Sequence, residues 1–289
     1  LDAITTGDSN TAIGASALGA NTTGQYNTGI GRESLRDNTT ASGNTALGQS
    51  SMAANTTGTR NIAIGFAAYN SSDTENDNLA IGYQAMTTNT AGGTYNIAVG
   101  NYALDALTSG DYNIAIGGSA GSAINTGGDN TIVGYLAGNA LTSGADNVAI
   151  GSTALYTATT VSGNTALGSN ALKLTAAADN TGIGRSALED NTTGAGNTAV
   201  GKNALANNTT AAKNTAIGKD AMFTNTTGAE NVSIGNDSLV YNTTGSNNVA
   251  IGVEAMDANT TGASNVGIGK AALGSNTTGT RNIALGPYA

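Results

Sequence analysis

Four aspartates occupy one place in a repeating pattern, and carboxylates that recur at a fixed interval could line up as ligands for a metal ion. They are Asp77, Asp129, Asp146 and Asp179, each immediately before an asparagine that opens a copy of the repeat. Hard cations such as calcium require several oxygen ligands. The same place elsewhere holds Arg60, Lys213 and Arg281. The pattern therefore favours solvated surface charge, and we predict no metal site.

Catalytic chemistry needs titratable groups that converge on one site. The chain has no histidine and no cysteine, and its remaining candidates are scattered carboxylates such as Asp105 and Asp111. Its glycine-rich stretches lack the strand–loop–helix context and the lysine of a phosphate-binding loop. We predict no catalytic residue, no cofactor and no enzymatic activity.

Paired threonines suggest a third chemistry, because ice-binding solenoids display regular ranks of threonine. Pairs such as Thr22-Thr23 and Thr192-Thr193 lie in a predicted turn and lapse between Asn96 and Asn147. Adjacent residues do not share one face of an extended chain, so ice binding is the less favoured interpretation. The same turns contain sequons such as Asn21-Thr22-Thr23, for which turn formation is favoured over glycosylation.

The elements that position these residues follow from one motif, Asn10-Thr11-Ala12-Ile13-Gly14. It recurs in 17 copies spaced by 17 residues, apart from one step of 18 and one of 16. The copies start at Asn10, Asn27, Asn44, Asn61, Asn78, Asn96, Asn113, Asn130, Asn147, Asn164, Asn180, Asn197, Asn214, Asn231, Asn248, Asn265 and Asn282. So short a period indicates one structural coil per repeat, stacked as a β-solenoid.

We number each repeat from its asparagine. Position 5 is always glycine, which indicates a positive φ or a close approach of a neighbouring backbone. Positions 2 and 4 are β-branched or leucine, and position 3 is tiny except at Ile132. Positions 8 and 9 are small and large apolar residues, as at Ala17 and Leu18. One repeat is predicted to run strand, glycine corner, second strand and Asn/Thr/Gly turn. Its structural residues are exemplified by Asn10, Ile13, Gly14, Ala17 and Leu18.

Composition limits the partners. Lysine and arginine total 10 against 19 aspartate and glutamate, a formal net charge of -9. Nucleic-acid binding needs clustered basic residues, so no nucleic acid is expected. The chain has no apolar run long enough to span a membrane, so no membrane insertion is expected in this segment. We predict a lead-in at 1–9 and a single β-solenoid array at 10–289. Because the chain starts at Leu1 without a signal-peptide pattern, we expect a fragment or a processed chain.

Oligomerisation follows from the lack of a polar face on the strand. With Ile on one side and Ala or Gly on the other, both sides are expected to be packed, Ile against its own coil and Ala against a partner chain. A homo-oligomer around an axis shared with the stack supplies that second interface. The alternative is a monomer with an exposed alanine stripe.

The repeated pattern Asn-Thr-Ala-Ile-Gly-x-x-Ala-Leu resembles the head repeat of trimeric autotransporter adhesins, and is similar to repeats of phage tail-fibre and appendage proteins. The resemblance covers residues 10–289. It implies an all-β fold, a left-handed parallel β-roll of about 17 coils, a coaxial homotrimer and a role in surface attachment. The head repeat of the adhesins is typically shorter than 17 residues, so the shape of the longer turn is not implied.

The middle of the array differs from its flanks. Turn positions that are asparagine elsewhere become Leu107, Ile124 and Leu141, while position 9 loses its bulk at Gly121 and Gly138. We interpret this as an alternative core packing, with a ligand groove as the less favoured hypothesis. Tyrosines cluster in the same region and are common in recognition surfaces. They are Tyr83, Tyr95, Tyr102, Tyr112 and Tyr135.

The leading functional hypothesis is an extracellular fibre shaft, structural and adhesive, on a bacterial surface or a virion appendage. The alternative is a binding module whose variable positions contact a host-cell protein or glycan.

Overall fold

The computed structural model describes residues 3–88 and 92–289. These residues form two compact units, divided between Asp146 and Asn147. Each unit is a parallel β-solenoid with one three-residue strand per coil, and the described residues contain no helix. Both the predicted all-β solenoid and the 17-residue repeat are confirmed.

Eight strands belong to the first unit and nine to the second. In the first they are β1 (Thr11–Ile13), β2 (Thr28–Ile30), β3 (Thr45–Leu47), β4 (Ile62–Ile64), β5 (Leu79–Ile81), β6 (Ile97–Val99), β7 (Ile114–Ile116) and β8 (Thr131–Val133). In the second they are β9 (Val148–Ile150), β10 (Thr165–Leu167), β11 (Thr181–Ile183), β12 (Thr198–Val200), β13 (Thr215–Ile217), β14 (Val232–Ile234), β15 (Val249–Ile251), β16 (Val266–Ile268) and β17 (Ile283–Leu285).

Within each unit every strand pairs in parallel with the next, in register. Ala216 lies beside Ala199, and Ile217 lies beside Val200 on one side and Ile234 on the other. Equivalent residues therefore form columns along each stack, separated by the strand spacing of about 4.8 Å.

The predicted second strand is wrong. Positions 6 to 11 form a turn in which positions 7 and 9 both have left-handed backbone, as at Ser16 (φ 58°) and Leu18 (φ 50°). An extended strand would send the adjacent residues 8 and 9 to opposite sides. The left-handed residues instead let Ala17 and Leu18 both become buried. A left-handed leucine costs roughly 1 kcal/mol, which the burial of a large side chain offsets.

The predicted direction of the strand side chains is also wrong. Position 3 points into the coil, and Ala46, Ala63 and Ala216 are fully buried. Positions 2 and 4 point outward and stay partly or largely exposed, as Leu47 does at 44%. The interior beside the strand is already occupied. A Cβ added to Gly29 would lie 3.4 Å from Leu18 Cγ, which belongs to the preceding coil. The core thus takes its bulk from position 9 and has room only for small residues at position 3.

The glycine at position 5 has both properties predicted from its presence in every repeat, a positive φ and a close approach of the neighbouring backbone. Gly184 has a φ of 130°, and a Cβ there would lie 2.5 Å from the carbonyl oxygen of Gly201 in the next coil. Glycine corners stack so closely that no side chain fits between them.

Two columns of buried asparagine side chains link successive coils. The first consists of the repeat asparagines: Asn248 Nδ2 donates to the Gly262 carbonyl (2.8 Å), and Asn248 Oδ1 accepts from the Asn265 backbone N–H (3.0 Å). Each side chain thereby joins the end of its own coil to the start of the next. The second column lies at position 12, where Asn38 Nδ2 donates to Asn21 Oδ1 (2.7 Å). It is interrupted at Ser72, which leaves Asn55 Oδ1 buried without a hydrogen bond.

Asn248→Ala tests the first column. We expect a loss of about 2–4 kcal/mol in the free energy of unfolding, because a buried carbonyl and a buried N–H lose their partner together. Thr244→Ala, which removes an exposed hydroxyl at a turn, should change stability by less than about 0.5 kcal/mol. Denaturant unfolding at fixed protein concentration measures both. Equal effects would show that the column contributes little.

Candidate interaction surface

The outward face of the strands forms a regular surface that runs along each unit. Its two central columns, positions 2 and 4, hold isoleucine, valine, leucine or threonine, and we call them the apolar stripe. Threonine is the one polar residue type in these columns, and it is partly exposed in every coil that has it except the first, where Thr11 is exposed. The members of the stripe include Ile62, Ile116, Leu167, Ile217, Ile234 and Ile268, which are 36–43% exposed. Contiguous apolar surface of this kind is characteristic of interaction sites.

Two further columns border the stripe. Position 6 follows the glycine and forms what we call the carboxyl rim; it includes Arg32, Phe66, Tyr83, Gly118, Tyr135, Arg185, Lys202 and Lys219. The residue before each repeat asparagine forms the amino rim; it includes Tyr26, Arg60, Asp77, Tyr95, Tyr112, Asp129, Asp179, Lys213 and Glu230. Amino-rim residues have left-handed backbone, with φ near 58° at Tyr95 and Lys213. This bend keeps their side chains outward beside a buried asparagine.

The structure divides the five predicted recognition tyrosines between the two rims. Tyr83 and Tyr135 lie on the carboxyl rim, with Tyr102 one residue beyond it, whereas Tyr95 and Tyr112 lie on the amino rim. The rims are six residues apart in sequence with the three-residue strand between them, so they are separated by at most about 20 Å. The tyrosines therefore form two separate columns.

Within each column the aromatic rings contact one another. Tyr95 and Tyr112 stack with centroids 5.2 Å apart and an interplanar angle of 1°. Phe66, which the sequence reasoning did not single out, stacks on Tyr83 at 5.3 Å. Tyr83 in turn meets the edge of Tyr102 at 5.4 Å. Rings that cover each other's faces present mainly edges to solvent, which is poor geometry for stacking on a sugar.

Carboxylates do not converge in either unit. Residues 3–88 and 92–289 contain no group of three or more potential metal-ligating side chains among His, Cys, Asp and Glu. Asp77 is held by two hydrogen bonds of 2.6 Å from Arg60, which lower the pKa of its carboxyl group. Asp105 is the opposite case: burial raises its pKa, and its Oδ1 has no hydrogen-bond partner. Neither arrangement brings a second acid or base to the same place.

The sequons and threonine pairs have structural roles at the turn. Asn21 and Asn242 are fully buried, and each donates through Nδ2 to the glycine carbonyl three residues later (3.0 and 2.9 Å). The first threonine of a pair donates to a carbonyl in the next coil, as Thr22 Oγ1 does to Thr39 (3.0 Å). The second, such as Thr23, is exposed. The hydroxyl of the first threonine is therefore used between coils, although some of these residues, such as Thr192, are themselves exposed.

The middle of the array has the alternative core packing that its sequence predicted. Leu107, Ile124 and Leu141 are fully buried. A Cβ added to Gly121 would lie 2.9 Å from Ile124 Cδ1, so isoleucine fills the space that leucine occupies in other coils. Ile132, the large residue at position 3, fills the corresponding space beside Gly138 (3.1 Å). Filled in this way, the region offers no groove at these positions.

Comparison with known proteins finds no family model and no curated protein that matches this chain. Across the part of the chain that the structure describes, no helix has the length and apolar character of a membrane span. The interaction surface must therefore be interpreted from its own geometry.

Proposed function

We propose that this solenoid is a segment of an extracellular fibre, in which three parallel copies pack through their apolar stripes around an axis parallel to the stack. In this proposal the role is structural and adhesive rather than enzymatic, and the coils wind in the left-handed sense that the sequence resemblance implies. The fibre belongs to a bacterial surface or to a virion appendage.

The observation that carries the proposal is the outward apolar stripe. Isoleucine and valine side chains at positions 2 and 4 of successive coils remain partly exposed in the single chain, and burying them in a partner would be favourable by about 25 cal/mol per Å². Because the stripe repeats at the strand spacing, its best-matched occupant is a surface with the same period. Another copy of this chain provides that surface, and parallel copies form a closed ring.

A shaft function is consistent with the rest of the surface. Strand pairing and the asparagine hydrogen bonds join neighbouring coils within each unit. Charged residues are 10% of the chain, and the described residues contain no group of three or more His, Cys, Asp or Glu side chains that could hold a metal ion. A repetitive scaffold that holds other parts away from a surface requires no more than this.

The mass of the protein in solution tests the assembly. Light scattering during size-exclusion chromatography should give three times the chain mass of 28.1 kDa, independent of dilution through the micromolar range. A mass of one chain would end the proposal. A mass of two chains would be compatible with an interface at the apolar stripe but would rule out the trimer.

A receptor- or glycan-binding module is the second candidate, favoured by the exposed aromatic residues on both rims. Tyr135, for example, is 64% exposed. Glycan-array or cell-surface binding by the isolated protein, abolished by Tyr135→Ser, would favour this function over a purely structural shaft. Absence of binding by a correctly assembled trimer would favour the shaft.

A further inference from the structure

The two rims are placed so that they would meet between copies. In a ring of parallel copies the strands run in the same sense around the axis. The carboxyl rim of one copy therefore faces the amino rim of the next, as in any heterologous interface. A closed cyclic ring puts a given coil of every copy at the same height, whereas a staggered assembly of three copies would offset it by one or more coils.

We propose that neighbouring copies pair rim to rim, each coil against the same coil of the next copy, and that this seam fixes the axial register of the oligomer. The proposal rests on the assembly described under Proposed function. It adds the identity of the contacting residues and the alignment of the chains. The apolar stripe alone would not fix the alignment, because a shift by one coil still places isoleucine near isoleucine.

Side-chain size is complementary across the seam. In the coil of Asn113 the amino rim carries Tyr112, which is 56% exposed, and the carboxyl rim carries Gly118. A Cβ at Gly118 would have only the ring of Tyr135 within 4 Å, at 3.5 Å or more, so a side chain of another molecule could approach this glycine closely. The tyrosine of one copy thus faces the residue with no side chain in the next copy.

Charge and aromatic character are complementary in other coils. The coil of Asn180 pairs Asp179 with Arg185, and the described part of the chain gives neither of them an ion pair of its own. The coil of Asn61 places Arg60, whose guanidinium is held by Asp77, opposite the aromatic side chain of Phe66, so the aliphatic part of the arginine would meet an apolar ring.

These pairs cannot form within one chain. The three-residue strand β11 and the residues on either side of it lie between Asp179 and Arg185, and no ion pair joins these two side chains in the described chain. Their complementarity can be used only between molecules.

One coil would place two lysines opposite each other across the seam, but each lysine has a carboxylate partner in its own chain. In the coil of Asn214 the rims hold Lys213 and Lys219. Lys219 is 2.7 Å from Asp220, and Lys213 is 3.7 Å from Glu230. Each ammonium group has a carboxylate in its own chain, so this coil need not oppose the alignment.

Engineered disulfides test the seam, because the natural chain has no cysteine. The variant Glu230→Cys with Asn236→Cys places one thiol on each rim of the same coil. A disulfide requires Cα atoms within about 7 Å, so these cysteines can bridge only between copies. Mild oxidation of the assembled protein should give a covalent trimer that dithiothreitol returns to single chains on a denaturing gel.

Two matched variants shift the amino-rim cysteine by one coil: Asn236→Cys with Lys213→Cys, and Asn236→Cys with Asn247→Cys. All three amino-rim positions have φ of 58–60°, so the backbone context is the same. The same-coil pair should cross-link roughly tenfold faster than either shifted pair, because effective concentration falls with separation. Single-cysteine variants should give no covalent trimer.

The outcomes separate the seam from the assembly. Fastest cross-linking by a shifted pair, or none in a protein whose mass is that of a trimer, would overturn same-coil pairing and leave the trimer intact. A mass of one chain in the uncross-linked protein would instead reject the proposed assembly.

Discussion

Gly184→Ala is expected to cost about 4 kcal/mol or more in the free energy of unfolding, a loss at the extreme of single substitutions. The new methyl group would lie 2.5 Å from the Gly201 carbonyl oxygen, and the backbone φ of 130° is one that side chains rarely adopt. The neighbouring coil cannot withdraw without stretching the paired strands β11 and β12. Calorimetry and urea unfolding would measure the effect.

Gly196→Ala is the matched control for backbone strain. Gly196 also has positive φ, 67°, but a Cβ there would have only Lys213 Cγ within 4 Å, at 4.0 Å. Alanine at this position should therefore cost only the left-handed penalty of roughly 1 kcal/mol. If both variants lost the same stability, crowding between glycine corners would not be the reason that position 5 is invariant.

Ile217→Lys is expected to abolish the trimer at micromolar concentration. Ile217 lies in the apolar stripe and is 39% exposed in the single chain. Lysine there would place an unpaired ammonium group in each copy's interface, at a cost of several kcal/mol per copy. In light scattering the variant should have the mass of a single chain, whereas the unmodified protein should have three times that mass.

Thr227→Lys adds the same charge at an exposed turn position away from the stripe, and it should remain trimeric. Ile217→Val, which keeps the surface apolar, should remain trimeric as well. A trimeric Ile217→Lys variant would show that the copies do not associate through the stripe.

Much of the architecture could be predicted because the repeat samples each position 17 times. The strand at positions 2 to 4 and the glycine corner follow from residue types that hardly vary. The side of the strand that faces the core could not be predicted in this way. Large apolar side chains are normally placed inside, but this coil is too narrow beside the strand, where Leu18 already packs against Gly29. Alanine is therefore inside and isoleucine outside.

The turn after the glycine was mispredicted for a related reason. Leucine gives no local signal for left-handed backbone, and only the packing of Ala17 and Leu18 into one core explains the observed φ values. The rims were also not evident from the sequence. Their residues vary from coil to coil, and their relationship appears only when positions on opposite sides of the strand are compared within one coil. Phe66 was not singled out because its aromatic neighbour, Tyr83, is 17 residues away in the sequence and becomes adjacent only when the coils stack.

The burial of the turn asparagines has a consequence for how the protein can be made. Eight Asn-Thr-Thr sequons have an asparagine with no exposed surface: Asn21, Asn38, Asn55, Asn191, Asn208, Asn225, Asn242 and Asn259. An oligosaccharide transferred to any of them during synthesis would occupy the space of the asparagine column and block closure of that coil. Synthesis in a eukaryotic secretory pathway should therefore trap the chain unfolded. The second threonine of these sequons is exposed in the folded chain, as at Thr23 and Thr244. Replacing it with valine in each of the eight sequons should remove these glycosylation sites and restore secretion.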